Sequence, residues 1–124
     1  MCSGSGWPRH LTPCARREPI RASSTSRPPA AYWQAASPSG EILRSEVATA
    51  ALATAGSGDV LAGVIGALLA AGLEPFDAAG CGVAVHGAAG LLAEDRIGRA
   101  GVVARDIANL LPTAIEHLRG GRGA

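Results

Sequence analysis

The chain has 124 residues, a hydrophobic fraction of 48% and a formal net charge of +1. This length fits one small domain with a single core. Because eleven basic residues nearly balance ten acidic ones, no strong field would attract nucleic acid or an anionic membrane, and we expect neither as a partner.

The N-terminal part differs in composition from the rest of the chain. Residues 1–40 hold six of the eight prolines and show no apolar periodicity. Such a segment buries too little apolar surface to offset its conformational entropy. We therefore predict that residues 1–45 are disordered, or are not native to the protein, because a misread frame of a GC-rich gene has the same composition. The folded part is predicted to span residues 46–119, with residues 120–124 as a flexible tail.

Cysteine usage and the first residues indicate a compartment. Cys2, Cys14 and Cys81 fit neither a CxxC pair nor a disulfide framework, and we predict free thiols. The N-terminus has arginine and proline where a secretory signal needs an apolar run of about 7 to 15 residues. Both features predict a cytoplasmic location.

The first predicted helix follows a glycine-rich turn. Residues 42–54, before the turn, fit either a short strand or a turn. The helix starts at Ser57 or Gly58, carries Asp59 in its first turn and stops near Gly72. Beyond Asp59 it has no charge on any side, which favours burial, although a chain of this length offers little protein to bury it.

Two more helices are predicted after it. The second begins near Pro75 and runs to about Glu94, and its many glycines indicate close approach between helices. The third spans residues 107–118, with Asp106 as its N-cap or first-turn acid. Pro112 lies inside this third helix and is expected to kink or divide it.

The turn TAGSGD, residues 54–59, is the candidate functional motif. Two glycines before a helix allow backbone N–H groups to converge on an anion such as a phosphate. An aspartate beside that anion can take a proton from a hydroxyl that attacks phosphorus. The six residues alone equally fit a plain turn in which Asp59 only faces the helix dipole. The motif is not a P-loop, because the chain has no lysine.

Three blocks occur in order along the chain: GSGDVLAG at 56–63, AVHGAAG at 84–90 and GVVARDI at 101–107. With them, residues 48–118 resemble the C-terminal end of the ADP-dependent NAD(P)H-hydrate dehydratases, a family with the ribokinase-like fold. The resemblance implies an α/β ribokinase-like fragment that consists mainly of the C-terminal helices of that fold. It also implies that His86 is a packing residue between helices, as Cys81 is by its apolar surroundings.

The resemblance implies a repair reaction on hydrated NADH or NADPH. ADP or ATP, with Mg²⁺, phosphorylates the hydroxyl left by hydration, and loss of phosphate regenerates the dinucleotide; in the bacterial form ADP becomes AMP. Asp59 matches the family's catalytic base. The implied nucleotide-binding positions are those of the turn before it, namely Thr54, Ala55, Gly56, Ser57 and Gly58. Because most of the family's domain is missing from the resemblance, we expect the chain to be inactive alone.

Two other interpretations stay open at this stage. Another ribokinase-like small-molecule kinase would share the glycine turn and the aspartate, but would leave a stable phosphorylated product. A small helical interaction module without catalysis would instead bury its first helix in a homo-oligomer or against another partner.

Overall fold

The computed structural model describes residues 33–45, 47 and 49–120. These residues form a short hairpin, a 3₁₀ helix and three α-helices. Predictions that concern residues 1–32 and 121–124 lie outside the described residues.

The hairpin consists of β1 (Gln34–Ala36) and β2 (Ile42–Arg44), which pair antiparallel. Ala35 lies opposite Leu43 in the register, and Leu43 is buried against α2 (Pro75–Ile97). The stretch for which the sequence left a strand and a turn open therefore begins as a strand.

The turn of the hairpin is closed by a serine. The Ser37 N–H donates to the Glu41 carbonyl at 2.8 Å, and the Ser37 Oγ accepts the Glu41 N–H at 3.0 Å. Gly40 has a φ of 88°, which glycine adopts without strain. The prediction of disorder for residues 1–45 is therefore wrong for residues 33–45. Strands of three residues are too short to show an alternation of apolar and polar side chains. In the sequence, only the turn residues therefore indicated this hairpin.

A 3₁₀ helix (Ala50–Ala53) connects the hairpin to the glycine turn. Its N-cap, Thr49, is buried and accepts the Ala51 N–H on Oγ1 at 3.1 Å. The same hydroxyl donates to the carboxylate of Glu94 in α2. This bond, and the Arg99 Nε that donates to Glu94 at 2.7 Å, lower the pKa of Glu94. The 3₁₀ helix is thereby held to the end of α2.

The first helix, α1 (Ser57–Ala70), starts where the sequence predicted. Gly56 before it and Gly72 after it have φ values of 83° and 94°. Such left-handed glycines are expected where the chain turns abruptly into and out of a helix. Of its residues only Ser57 and Leu61 are buried among the described residues, so this part of the chain does not provide the burial that an uncharged helix favours. Within the described residues α1 packs on α2 and α3 (Ala104–Arg119), and its other sides are exposed.

The second helix, α2, is the central element. It begins at Pro75 as predicted and continues three residues past Glu94, to Ile97. It packs against both other helices, the 3₁₀ helix and β1. By length and composition it could cross a membrane, but 61% of its most apolar window is buried inside the structure, as in core helices of soluble proteins.

Glycines on α2 let neighbouring segments come close; the sequence predicted such approach between helices, and the structure also shows it against the hairpin and Val47. A Cβ placed on any of four of them would lie too near a side chain of another element. The four pairs are Gly80 with Leu43 at 2.7 Å, Gly82 with Ile65 at 2.6 Å, Gly87 with Val47 at 3.1 Å and Gly90 with Leu52 at 2.5 Å.

The third helix, α3, begins earlier than predicted, at Ala104. Asp106 lies in its first turn and accepts the Val103 N–H at 2.9 Å. Pro112 does not divide the helix, contrary to one expectation. Because Pro112 is exposed, water can satisfy the carbonyl that lacks an N–H partner.

The main apolar cluster lies where α2, α3 and the 3₁₀ helix meet. Partly buried residues, Val60 among them, pack around it. Its buried members are Ala51, Leu52, Ala89, Ala93, Val102, Ile107, Leu110 and Ala114.

A pair of glycine substitutions tests the close packing on α2. We expect Gly82→Ala to lower the free energy of unfolding by about 1–3 kcal/mol, because the β-branched Ile65 must shift to admit the methyl group. Gly63→Ala in α1 is the control, since nothing lies within 4 Å of its added Cβ. Better helix propensity should raise its stability by up to about 1 kcal/mol. Urea denaturation of both variants measures the difference, and an equal response of the two would contradict this account.

Candidate functional site

The glycine turn forms a tight, hydrogen-bonded start to α1. The Ser57 N–H donates to the Thr54 carbonyl at 3.2 Å, and the Asp59 N–H donates to the Gly56 carbonyl at 3.1 Å. Gly56 adopts the left-handed conformation that reverses the chain before the helix. The turn therefore has a fixed backbone path up to Asp59.

The predicted site residues differ in how they face solvent. Ala55, Gly56, Gly58 and Asp59 are exposed, Thr54 is half-buried, and Ser57 is buried. Among the described residues no hydrogen bond engages the Gly58 N–H or the Asp59 carboxylate. These two groups can therefore contact a ligand together, whereas the Ser57 N–H is occupied within the turn.

His86 lies directly behind the turn. Its Nε2 is 2.9 Å from the Ser57 carbonyl oxygen and 3.0 Å from the Ser57 Oγ. The imidazole is fully buried, and burial lowers its pKa, while the hydrogen bond to the Ser57 backbone acts in the opposite direction. The sequence predicted a packing role for His86; the structure adds a direct bond to the candidate site.

Trp33 packs against the ring of His86. The two rings are 6.2 Å apart and nearly perpendicular, at 71°. The indole also lies 3.9 Å from the position that a Cβ on Gly58 would occupy. Sequence analysis missed Trp33 because it falls in the segment predicted to be disordered.

The start of α3 approaches the turn as well. The Cβ of Ala104 lies 3.2 Å from the position of a Cβ on Gly56, so a side chain at Gly56 would press on α3. The three sequence blocks singled out above therefore meet at one place. GSGDVLAG supplies the turn, AVHGAAG supplies His86, and GVVARDI supplies the helix start beside Gly56.

A separate cavity of about 300 Å³ lies between the hairpin, α2 and the end of α3. Its walls are mainly apolar, and no residue of the turn lines it. The side chains that line it include Leu43, Val47, Val83, Ala88, Leu91 and Leu118. The cavity is thus distinct from the candidate site.

Among residues 33–45, 47 and 49–120, no three His, Cys, Asp or Glu side chains are grouped as a protein-held metal ion requires. Magnesium is commonly bound through substrate phosphates and one or two carboxylates. Asp59 is the single carboxylate of the turn, so the described residues do not by themselves form a Mg²⁺ site.

Comparison with known proteins gives a consistent family. A family profile described as NAD(P)H-hydrate dehydratase matches residues 31–113, more than half of the chain. The match begins before residue 45 and so includes part of the segment for which the sequence suggested no such similarity. No solved structure matches the chain.

Curated relatives are similar over part of their length. The ADP-dependent (S)-NAD(P)H-hydrate dehydratase of Neisseria meningitidis is 51% identical over 74 residues, which are 59% of this chain and 25% of the relative. The bifunctional NAD(P)H-hydrate repair enzyme Nnr of Moorella thermoacetica is 40% identical over 81 residues, 65% of this chain and 15% of the relative. The bifunctional NAD(P)H-hydrate repair enzyme Nnr of Escherichia coli is 44% identical over 66 residues, which are 53% of this chain and 13% of the relative. The chain thus spans a quarter or less of these relatives.

Burial of His86 predicts a pH-dependent stability. The unfolded chain protonates this imidazole near its ordinary pKa of 6.5, whereas the folded chain does so only at lower pH. Stability should therefore be complete above about pH 7.5 and fall as the pH drops through 6.5, by at most about 1.4 kcal/mol per pH unit. Urea denaturation between about pH 5.5 and pH 8 measures this slope.

Two comparisons make the pH test specific. His86→Gln removes the titrating group and should flatten the slope, and the exposed His117→Gln should keep it. The lowered pKa of Glu94 acts below its ordinary value of 4.5, outside the measured range. A wild-type slope in His86→Gln would assign the effect to another group.

Proposed function

Because the chain belongs to the NAD(P)H-hydrate dehydratase family, we propose that it carries the phosphoryl-transfer site of an ADP-dependent NAD(P)H-hydrate dehydratase. The surrounding domain is proposed to have the ribokinase-like fold, of which the described helices are the C-terminal part. A cytoplasmic location, where NADH and NADPH are used, completes the proposal.

The proposed reaction starts from hydrated NADH or NADPH. Its hydroxyl oxygen attacks the terminal phosphorus of ADP, Asp59 takes the hydroxyl proton, and AMP leaves. Elimination of phosphate from the phosphorylated intermediate, together with a proton from the neighbouring ring carbon, then restores the nicotinamide double bond. A nucleotide with one more phosphate, ATP, would react in the same way and leave ADP.

The backbone of the turn has a second role in this proposal. The N–H of Gly58, with the positive end of the α1 dipole behind it, stabilises the negative charge of the transferring phosphoryl group. Ala55 and Gly56 present exposed backbone to the same ligand, and Thr54 leads into the turn. Ser57 contributes through its place in the turn, because its own N–H and side chain face inward.

One observation carries the proposal. The exposed Asp59 carboxylate and the unengaged Gly58 N–H lie side by side at a turn that α2 and α3 support from behind. A carboxylate that interacted only with the helix dipole would not require a turn that two other helices hold in place. Mg²⁺ is expected to accompany the nucleotide, and no step is assigned to it because the described residues do not form its site.

A chimera tests this function. We would replace the matching segment of the Neisseria meningitidis relative, with which this chain shares 51% identity, by residues of this chain. The chimera should restore NADPH absorbance from hydrated NADPH in the presence of ADP. Asp59→Asn in the chimera should lower kcat by about 10²- to 10⁴-fold, because the proton acceptor is lost, with a smaller change in the KM for ADP.

Asp77→Asn is the matched control, because Asp77 is also a first-turn aspartate of a helix. It should leave kcat within about twofold, because Asp77 lies at the start of α2, about two and a half helical turns before His86. An equal loss of kcat in the two variants would indicate that Asp59 interacts only with the helix dipole and is not the proton acceptor. A stable phosphorylated dinucleotide as the end product would instead indicate a kinase.

A further inference from the structure

The link between His86 and Ser57 joins the middle of α2 to the first residue of α1. Both side chains are buried, at 0% and 1% exposure, so the bond is shielded from water. In such surroundings a hydrogen bond holds its partners more firmly than at the surface.

The chemistry of the partners assigns the proton on the imidazole. A carbonyl oxygen only accepts hydrogen bonds, so Nε2, at 2.9 Å from the Ser57 carbonyl, must carry a hydrogen. The Ser57 Oγ, at 3.0 Å from the same nitrogen, then accepts a share of that hydrogen. Nδ1 is buried without a hydrogen-bond partner among the residues that the structure describes, which suits an unprotonated nitrogen better than an N–H. His86 is therefore a neutral Nε2–H donor.

The turn needs such an anchor because of its composition. Ser57 lies between Gly56 and Gly58, and glycine leaves the backbone many conformations. No hydrogen bond among the described residues orients the Asp59 carboxylate itself. Its direction therefore depends on the backbone that starts at Ser57.

We propose that His86 is a positioning residue of the site: it fixes Ser57 and so sets the direction of the Gly58 N–H and the Asp59 carboxylate. Trp33 supports it by packing edge-on against the imidazole beside Gly58. That the direction of these two groups matters for phosphoryl transfer rests on the function proposed above. The anchoring of Ser57 by His86 does not depend on that function.

Two variants of similar size separate anchoring from packing. In His86→Gln the amide nitrogen comes near the position of Nε2, whereas in His86→Asn it comes near that of Nδ1. Both lose the ring and its contact with Trp33. The difference between them therefore isolates the donor to Ser57.

Amide hydrogen exchange by NMR on the 124-residue chain is the measurement. The Asp59 and Val60 amides both donate to the Gly56 carbonyl and so report the order of the turn. In His86→Asn their exchange should become about 5- to 10-fold faster relative to the core amides of Leu110 and Ala114, the factor expected for one lost hydrogen bond. In His86→Gln it should stay within about threefold of wild type.

The imidazole nitrogens of the ¹⁵N-labelled wild-type chain give a second readout, which packing alone would not determine. We expect a protonated Nε2 and an unprotonated Nδ1 for His86. The opposite tautomer, or equal acceleration in the two variants, would overturn the proposal.

Addition of ADP to the chimera described above, with and without the two His86 variants, separates the two proposals. The Gly58 amide of the chimera should shift with ADP if the proposed function holds, and the shift should weaken in His86→Asn more than in His86→Gln. A chimera without any ADP response counts against the proposed function, while the exchange rates and the tautomer measured on the 124-residue chain still decide the role of His86.

Discussion

The close contact of three elements with α2 is the constraint on which the described structure depends. Leu43 of the hairpin, Ile65 of α1 and Leu52 of the 3₁₀ helix each fill space that a Cβ on α2 would occupy. Glycine weakens a helix by up to about 1 kcal/mol relative to alanine. The helix bears this cost at several positions because neighbouring side chains gain burial there.

The same helix carries His86, and this connects packing with the candidate site. Gly82 and Gly87 lie within about one helical turn of His86 and bring α1 and Val47, which follows the hairpin, against the surface of α2. At that separation the imidazole reaches Ser57 without an intervening water. The distance between helices, set by residues without side chains, thus determines whether the turn can be held.

The sequence predicted most of this arrangement, and the reasons for the misses are physical. The starts of α1 and α2 were predictable because glycine, proline and a first-turn aspartate act locally. The hairpin was missed because its strands are too short for a pattern to appear. The role of His86 was missed because its bond joins residues 29 positions apart in the chain, which no local pattern records.

The exposure of α1 bears on the precision of the site. A helix without charges after its first turn favours burial, but of its residues only Ser57 and Leu61 are buried among the described residues. The contacts that hold α1 include Ile65 against Gly82, Val60 at the edge of the apolar cluster, and the hydrogen bond of Ser57 to His86. Of these three, only the bond to His86 is made by a residue of the turn, and Ala104 of α3 approaches the same turn at Gly56. The placement of Asp59 and Gly58 thus depends on the helices packed behind α1 as well as on α1 itself.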